Sequence, residues 1–324
     1  MSSVVSFKLL AIFAVVALGW GAGRMKFFGG GETARALSNA AFFLFAPALL
    51  FRTTARIDIA TLPWSTLAAF FVPATAWMVA IYFSQRRRAL ASPAGPSVRA
   101  LTATFGNTAQ LGIPMAAALF GEQGLSMHLA IVSVHALTLL SVQTVLVELD
   151  VGGAAAREQG GRASLRRMLL QTVRNTLIHP VVLPVLAGLA WNLTGWRIAE
   201  PVDGVLLMLG EAVVPVCLVG IGMSLAHYGL KGAAGSASAL TAAKVLAMPL
   251  LVLLAGYFVA GLRGLPLTVI VMAAALPTGS NALMFAQRYR SQEAETTAAI
   301  VVSTLSFVLA APLWLSLLAV LPQA

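Results

Sequence analysis

The stretch Phe105-Gly106-Asn107-Thr108-Ala109-Gln110-Leu111-Gly112-Ile113-Pro114 sits in the middle of a segment otherwise apolar enough to cross a bilayer. Glycine loses more backbone entropy in a helix than other residues, and proline removes an N–H and clashes one turn back. Gly106, Gly112 and Pro114, with the polar side chains of Asn107, Thr108 and Gln110, therefore mark a helix break. In hydrocarbon a freed backbone group is costly, so a break persists only where it faces protein or a water-filled cavity. Far downstream, Ala275-Leu276-Pro277-Thr278-Gly279-Ser280-Asn281 repeats the pattern. Two interrupted spans, one in each half of a chain, point to a transporter built from inverted repeats.

Composition sets the class. Of 324 residues, 59% are hydrophobic and 10% charged, and the mean hydropathy is +0.88. That is too apolar for a soluble surface, so an all-α polytopic membrane protein in a lipid bilayer is expected. Cys217 stands alone, which excludes an internal disulfide and a cysteine metal cluster. The net charge of +10 lies in short loops and not on a basic face interleaved with aromatics, so it reports membrane orientation and not nucleic acid. There is no His/Asp/Glu cluster and no phosphate-binding loop ending in Lys-Ser or Lys-Thr. No enzyme, ATP-driven pump, metal or cofactor is therefore expected.

A crossing needs about 20 apolar residues, and ten spans are expected on that basis. The first five are about Val4 to Gly21, Ala34 to Phe51, Thr61 to Phe83, Ala100 to Phe120 and Leu125 to Leu146. The second five are about Leu177 to Leu193, Val205 to Ala226, Ala239 to Ala260, Leu265 to Gln287 and Thr297 to Leu321. The breaks fall in the fourth and ninth. Residues 1–149 and 175–324 form the two five-span repeats, joined by a polar linker at 150–174. Of the 21 basic residues, 16 lie on the side reached by odd-numbered spans, among them Arg86, Arg87, Arg88, Arg166 and Arg167, against 5 on the other. Both termini are thus expected outside and the linker in the cytoplasm. At about 1.5 Å per residue, both breaks then fall near the midplane of the membrane, on spans of opposite direction.

The break residues also carry a resemblance. Gly106-Asn107-Thr108, followed by Leu111-Gly112-Ile113-Pro114 and Ala118-Leu119-Phe120-Gly121, resembles the signature of the auxin efflux carrier family. Phe45-Ala46-Pro47-Ala48-Leu49-Leu50-Phe51, Pro215 with the Gly220 to Ala226 stretch, and Ala275-Leu276-Pro277 running to Ala286-Gln287-Arg288-Tyr289 fit it too. The resemblance implies ten transmembrane helices as two inverted five-helix repeats, with broken helices four and nine crossing at the substrate site. It implies a secondary transporter exporting or exchanging a small organic anion, a mono- or dicarboxylate, in the cytoplasmic (inner) membrane, with a homodimer as a candidate assembly. Plant members have proline where Gly106 stands, and a long cytoplasmic loop that is short here, so the chain looks bacterial.

Helix N-terminal ends exposed by a break favour an anion by about 0.3–2 kcal/mol each. Asn107, Thr108, Gln110, Pro277, Thr278, Ser280 and Asn281 are the expected substrate-binding residues, and Gly106, Gly112 and Pro114 shape the break. The blander role for the same polar groups is to re-satisfy broken backbone. Lys244 is the nearest cation that could pair a carboxylate, although snorkelling to the cytoplasmic interface is the simpler expectation. Glu211 is the one acid well inside a span and the candidate carrier if H+ or Na+ drives transport, the alternative reading being a sodium- or proton-coupled exchanger. His135 reads as packing, and His128, His179 and His227 as interfacial residues near span ends.

Overall fold

The computed structural model describes residues 3–25, 31–56, 62–87, 92–158, 174, 177–178, 180–228 and 234–321. Regular structure among them is helical, apart from one two-residue bridge. Six helices among the described residues are long and apolar enough to cross a membrane: Glu32–Ala55, Trp64–Arg86, Met115–Ala154, Glu200–His227, Gly235–Val259 and Glu293–Ala319. Val182–Leu193 and Gly264–Ala275 are shorter apolar helices. Met208 and Leu309 on two of the six long helices, and Leu18 on helix Ser3–Arg24, are each more than 70% exposed, an exterior suited to lipid and not to water.

The interruptions fall where backbone chemistry places them. Helix Gly95–Thr102 stops short of Gly106, and a π turn at Thr108–Gly112 restarts the chain into Ile113–Glu158. That long helix is itself kinked at Gly121, whose φ of 62° suits a residue without Cβ and separates the fourth expected span from the fifth. Downstream, Gly264–Ala275 ends before Pro277, and Asn281–Arg288 begins after it. In the second expected span, which is one helix from Glu32 to Ala55, a π turn at Ala41–Phe45 lies just before Pro47, a helix-interior proline whose missing N–H and ring interrupt the regular ladder there. Much of the expected linker lies outside the described residues, as do Lys26, Arg88, Arg162, Arg166, Arg167, His179 and Lys231.

Packing sorts the helices into two groups. Ser3–Arg24 lies along Glu200–Tyr228, which also packs on Gly31–Ala40 and Ala46–Ala55, and Val182–Leu193 completes that group against Ala46–Ala55. The second group gathers Trp64–Arg86, the two broken helices, Ile113–Glu158, the helix from Ala234 to Val259, and Glu293–Ala319. Its core is apolar: Val269, Ile270, Val271, Met272 and Leu276 are buried in one cluster with Phe70, Met248 and Phe307. Phe42 of the aromatic run is fully buried, edge-on to Phe285 at 5.5 Å, whereas Phe43 and Leu44 beside it are exposed.

Candidate functional site

The two breaks meet. Gly106 and Thr278 form an antiparallel bridge, in which the Asn107 N–H donates to the Pro277 carbonyl at 2.8 Å and the Gly279 N–H to the Phe105 carbonyl at 2.9 Å. Each interrupted helix thus finds partners for its freed backbone in the other, as a buried break requires. A Cβ on Gly279 would lie 2.9 Å from the Gly106 carbonyl oxygen, so only glycine lets the strands approach this closely. Three further carbonyls near the helix ends are also met by side chains. Thr278 Oγ1 donates to the Thr102 carbonyl at 2.9 Å, Trp77 Nε1 to Ala103 at 3.3 Å, and Lys244 Nζ to Ala274 at 2.5 Å. Ser303 Oγ accepts the Thr278 N–H at 3.1 Å.

A cavity of about 140 Å³ opens against this bridge. One wall is Leu49, Leu50, Thr53 and Thr54 with Val213 and Val214, from the first helix group; the other includes Val132, Ser133, His135 and Leu137. Its floor is Phe105 to Ala109 and Gly279 to Asn281. The floor residues include both restarting helix ends, since Asn107 precedes the π turn Thr108–Gly112 and Ser280 precedes helix Asn281–Arg288. The cavity therefore faces two N-terminal ends, where backbone N–H groups and the helix dipole favour negative charge. It is small beside the ~300–1,000 Å³ of sites for drug-sized ligands, which suits a compact molecule.

Of the expected substrate-binding residues, the fold brings Asn107, Thr108, Ser280 and Asn281 to the cavity. Asn107 and Ser280 also line a smaller hollow behind the crossing, beside Phe13 and Val301. Pro277 and Thr278 are drawn into the bridge instead, and neither lines the cavity. The side chains of Gln110 and Pro114 fall outside the described residues. Gly112 leaves room for the His128 ring, whose Nε2 pairs with the Thr108 carbonyl at 2.8 Å. Glu211 is exposed on helix Glu200–Tyr228 and is not a lining residue of the cavity.

Two residues depart from their expected places, and a third does more than was expected of it. Lys244 does not snorkel: it is fully buried, because a π turn at Ala243–Ala247 carries it to the carbonyl end of a broken helix, which attracts a cation. His128 is not interfacial but fully buried at the first break. His135 does pack, with its ring 4.4 Å from that of Phe105, but it also lines the cavity and its Nε2 has no partner. A lone histidine in an apolar span gives no sequence signal to separate those roles; its distance from the break along the chain concealed it.

Polar pairs tie several of the helices together outside the cavity. Arg35 binds Glu293 at 3.1 Å, and Arg99 grips Glu295 through two bonds of 2.7 and 2.8 Å. Gln287 bonds both Ser38 and Ser224. Tyr289 donates to Glu148 at 3.1 Å, and burial together with the Glu148 charge raises its phenol well above the ordinary value, keeping it the donor. Among the described residues no group of three or more His, Cys, Asp or Glu is placed to hold a metal ion.

Comparison with known proteins bears on this geometry. The profile of a family described as membrane transport protein matches residues 4–315. An uncharacterized transporter of Methanothermobacter thermautotrophicus is 25% identical over 311 residues, covering 94% of this chain and 96% of that protein. A Rhizobium meliloti protein whose name proposes malonate transport is 23% identical over 301 residues, covering 92% and 90%. Rice auxin efflux carrier component 3a is 29% identical over 160 residues, 46% of this chain and 26% of that protein.

Proposed function

The chain belongs to the membrane transport protein family, that of the auxin efflux carriers, and we propose that it is a secondary carrier of a small organic anion working by alternating access. The observation that carries this reading is the place of the cavity, between two helix groups and against the bridge at Gly106 and Thr278. A site so placed changes its exposure when one group rocks against the other. Asn107, Thr108, Ser280 and Asn281 hold the substrate, Gln110 stays a substrate residue on its place in the sequence motif, and Pro277 and Thr278 hold the crossing. Gly106, Gly112 and Pro114 shape it. A carboxylate suits the two helix N-terminal ends, and the malonate-linked relative supports a compact acid.

The rest of the architecture follows from the same reading. Ten spans form two inverted five-span repeats, residues 1–149 and 175–324, joined by a cytoplasmic linker at 150–174. The breaks lie near the midplane of the inner membrane, both termini are outside, and a homodimer is the candidate assembly. Coupling to H+ or Na+ through Glu211 is the alternative mechanism, and its exposed position outside the cavity lining gives that the weaker support.

The test is uptake of labelled malonate into proteoliposomes. Asn107→Ala is expected to lower uptake at least tenfold, with expression and thermal stability unchanged. Unaltered uptake kinetics in this variant would overturn the assignment of the site.

A further inference from the structure

Among the described residues Lys244 has no counter-charge. Its side chain is fully buried, and among the described residues the ion pairs are made by other cations. An ammonium has three N–H donors, and the structure shows one used, on the Ala274 carbonyl at 2.5 Å. The π turn at Ala243–Ala247 that turns the residue inward is itself secured, since Trp314 Nε1 donates to the Val245 carbonyl at 2.9 Å. The inward position is thus built into the fold, and a buried charge without a partner is costly. What separates the ammonium from the substrate cavity is Gly106. This residue lines the cavity, and a Cβ placed on it would lie 3.5 Å from Lys244 Nζ.

We propose that Lys244 is the fixed counter-charge of the transport site, presented through the side-chain gap at Gly106, and that the substrates are carboxylates fully ionised at neutral pH. The inference rests on the carrier reading and adds to it the group that selects for charge. The helix ends favour an anion by orientation alone; Lys244 supplies a whole charge from behind the bridge. An anion entering the cavity would relieve the burial of the ammonium, so charge and site are completed together. A neutral molecule of the same shape would leave that burial in place.

The experiment measures equilibrium binding to the purified full chain, by thermal stabilisation, of malonate, succinate and phenylacetate, each beside its neutral amide. Wild type is expected to bind at least one acid and to bind its amide at least tenfold more weakly. Lys244→Met should weaken acid binding at least tenfold and bring acid and amide together, while Lys244→Arg keeps the preference for the acid. Gly106→Val, which fills the gap with Lys244 retained, should reduce acid binding several-fold, and it decides the matter alone if Lys244→Met fails to fold. If wild type binds none of the three acids, the carrier-of-anions reading fails, and the counter-charge with it. If wild type prefers the acid and Gly106→Val and any folded Lys244→Met keep the same acid-to-amide ratio, the counter-charge is overturned and the carrier reading stands.

Discussion

Replacing Gly279 by alanine is expected to force the crossing apart. The new Cβ would lie 2.9 Å from the Gly106 carbonyl oxygen, 3.0 Å from Phe105 Cδ1 and 3.2 Å from the Gly106 carbonyl carbon. Two of those neighbours are backbone, and both belong to the bridge, so relief comes only by separating the two broken segments. Ordinary contact begins at 3.4 Å, which asks for several tenths of an ångström. The bridge bonds of 2.8 and 2.9 Å would stretch toward the limit of useful hydrogen bonding. Overpacking of this kind costs about 1–3 kcal/mol, and weakening each bond adds up to ~0.5–1.5 kcal/mol. Gly106→Ala is the internal control, because its nearest new contact is 3.5 Å, an ordinary distance. Thermal unfolding of both variants, with labelled malonate uptake, checks the argument. Gly279→Ala should melt lower and transport poorly, whereas Gly106→Ala should melt close to wild type. Equal melting temperatures for the two would refute the close-packed bridge as the element that sets the site.

Two further outcomes follow from the charged residues. Arg99 and Glu295 form a paired, nearly buried bridge, 12% and 5% exposed, and leaving one such charge alone costs ~3–5 kcal/mol. Glu295→Ala should therefore lower the unfolding temperature markedly, and a near-neutral effect would show that the pair is not load-sharing. Glu211→Gln is expected to leave the response of uptake to an imposed proton or sodium gradient unchanged, since Glu211 stands exposed and does not line the cavity; loss of that response would assign coupling to Glu211.

Much of the site is legible in the chain because a helix break in an apolar segment has few explanations. Gly106, Gly112 and Pro277 announce interruptions by backbone chemistry alone, and the structure brings those interruptions together. The division of labour within the second motif is not legible. Thr278 and Ser280 are similar hydroxyl residues two positions apart, yet one donates to the Thr102 carbonyl at the end of the other broken helix and the other lines the cavity. That difference arises from the extended backbone at Leu276 and the restart of the helix after Ser280, which sequence pattern does not resolve. Lys244 shows a second kind of limit. A lysine early in an apolar span ordinarily reaches for the interface, and only the π turn, with carbonyls of another helix waiting, reverses that preference. Helical periodicity assumes regular turns, so it places such a residue on the wrong face.

The most direct measurement is counterflow: proteoliposomes loaded with unlabelled malonate, diluted into a trace of labelled malonate, with wild type and Asn107→Ala in parallel. A carrier whose single site faces each side in turn exchanges internal for external substrate, so label should accumulate transiently in wild type and fail to do so in the variant. Stabilisation of the protein by malonate without any entry of label would contradict the account, since a receptor binds its ligand and moves nothing.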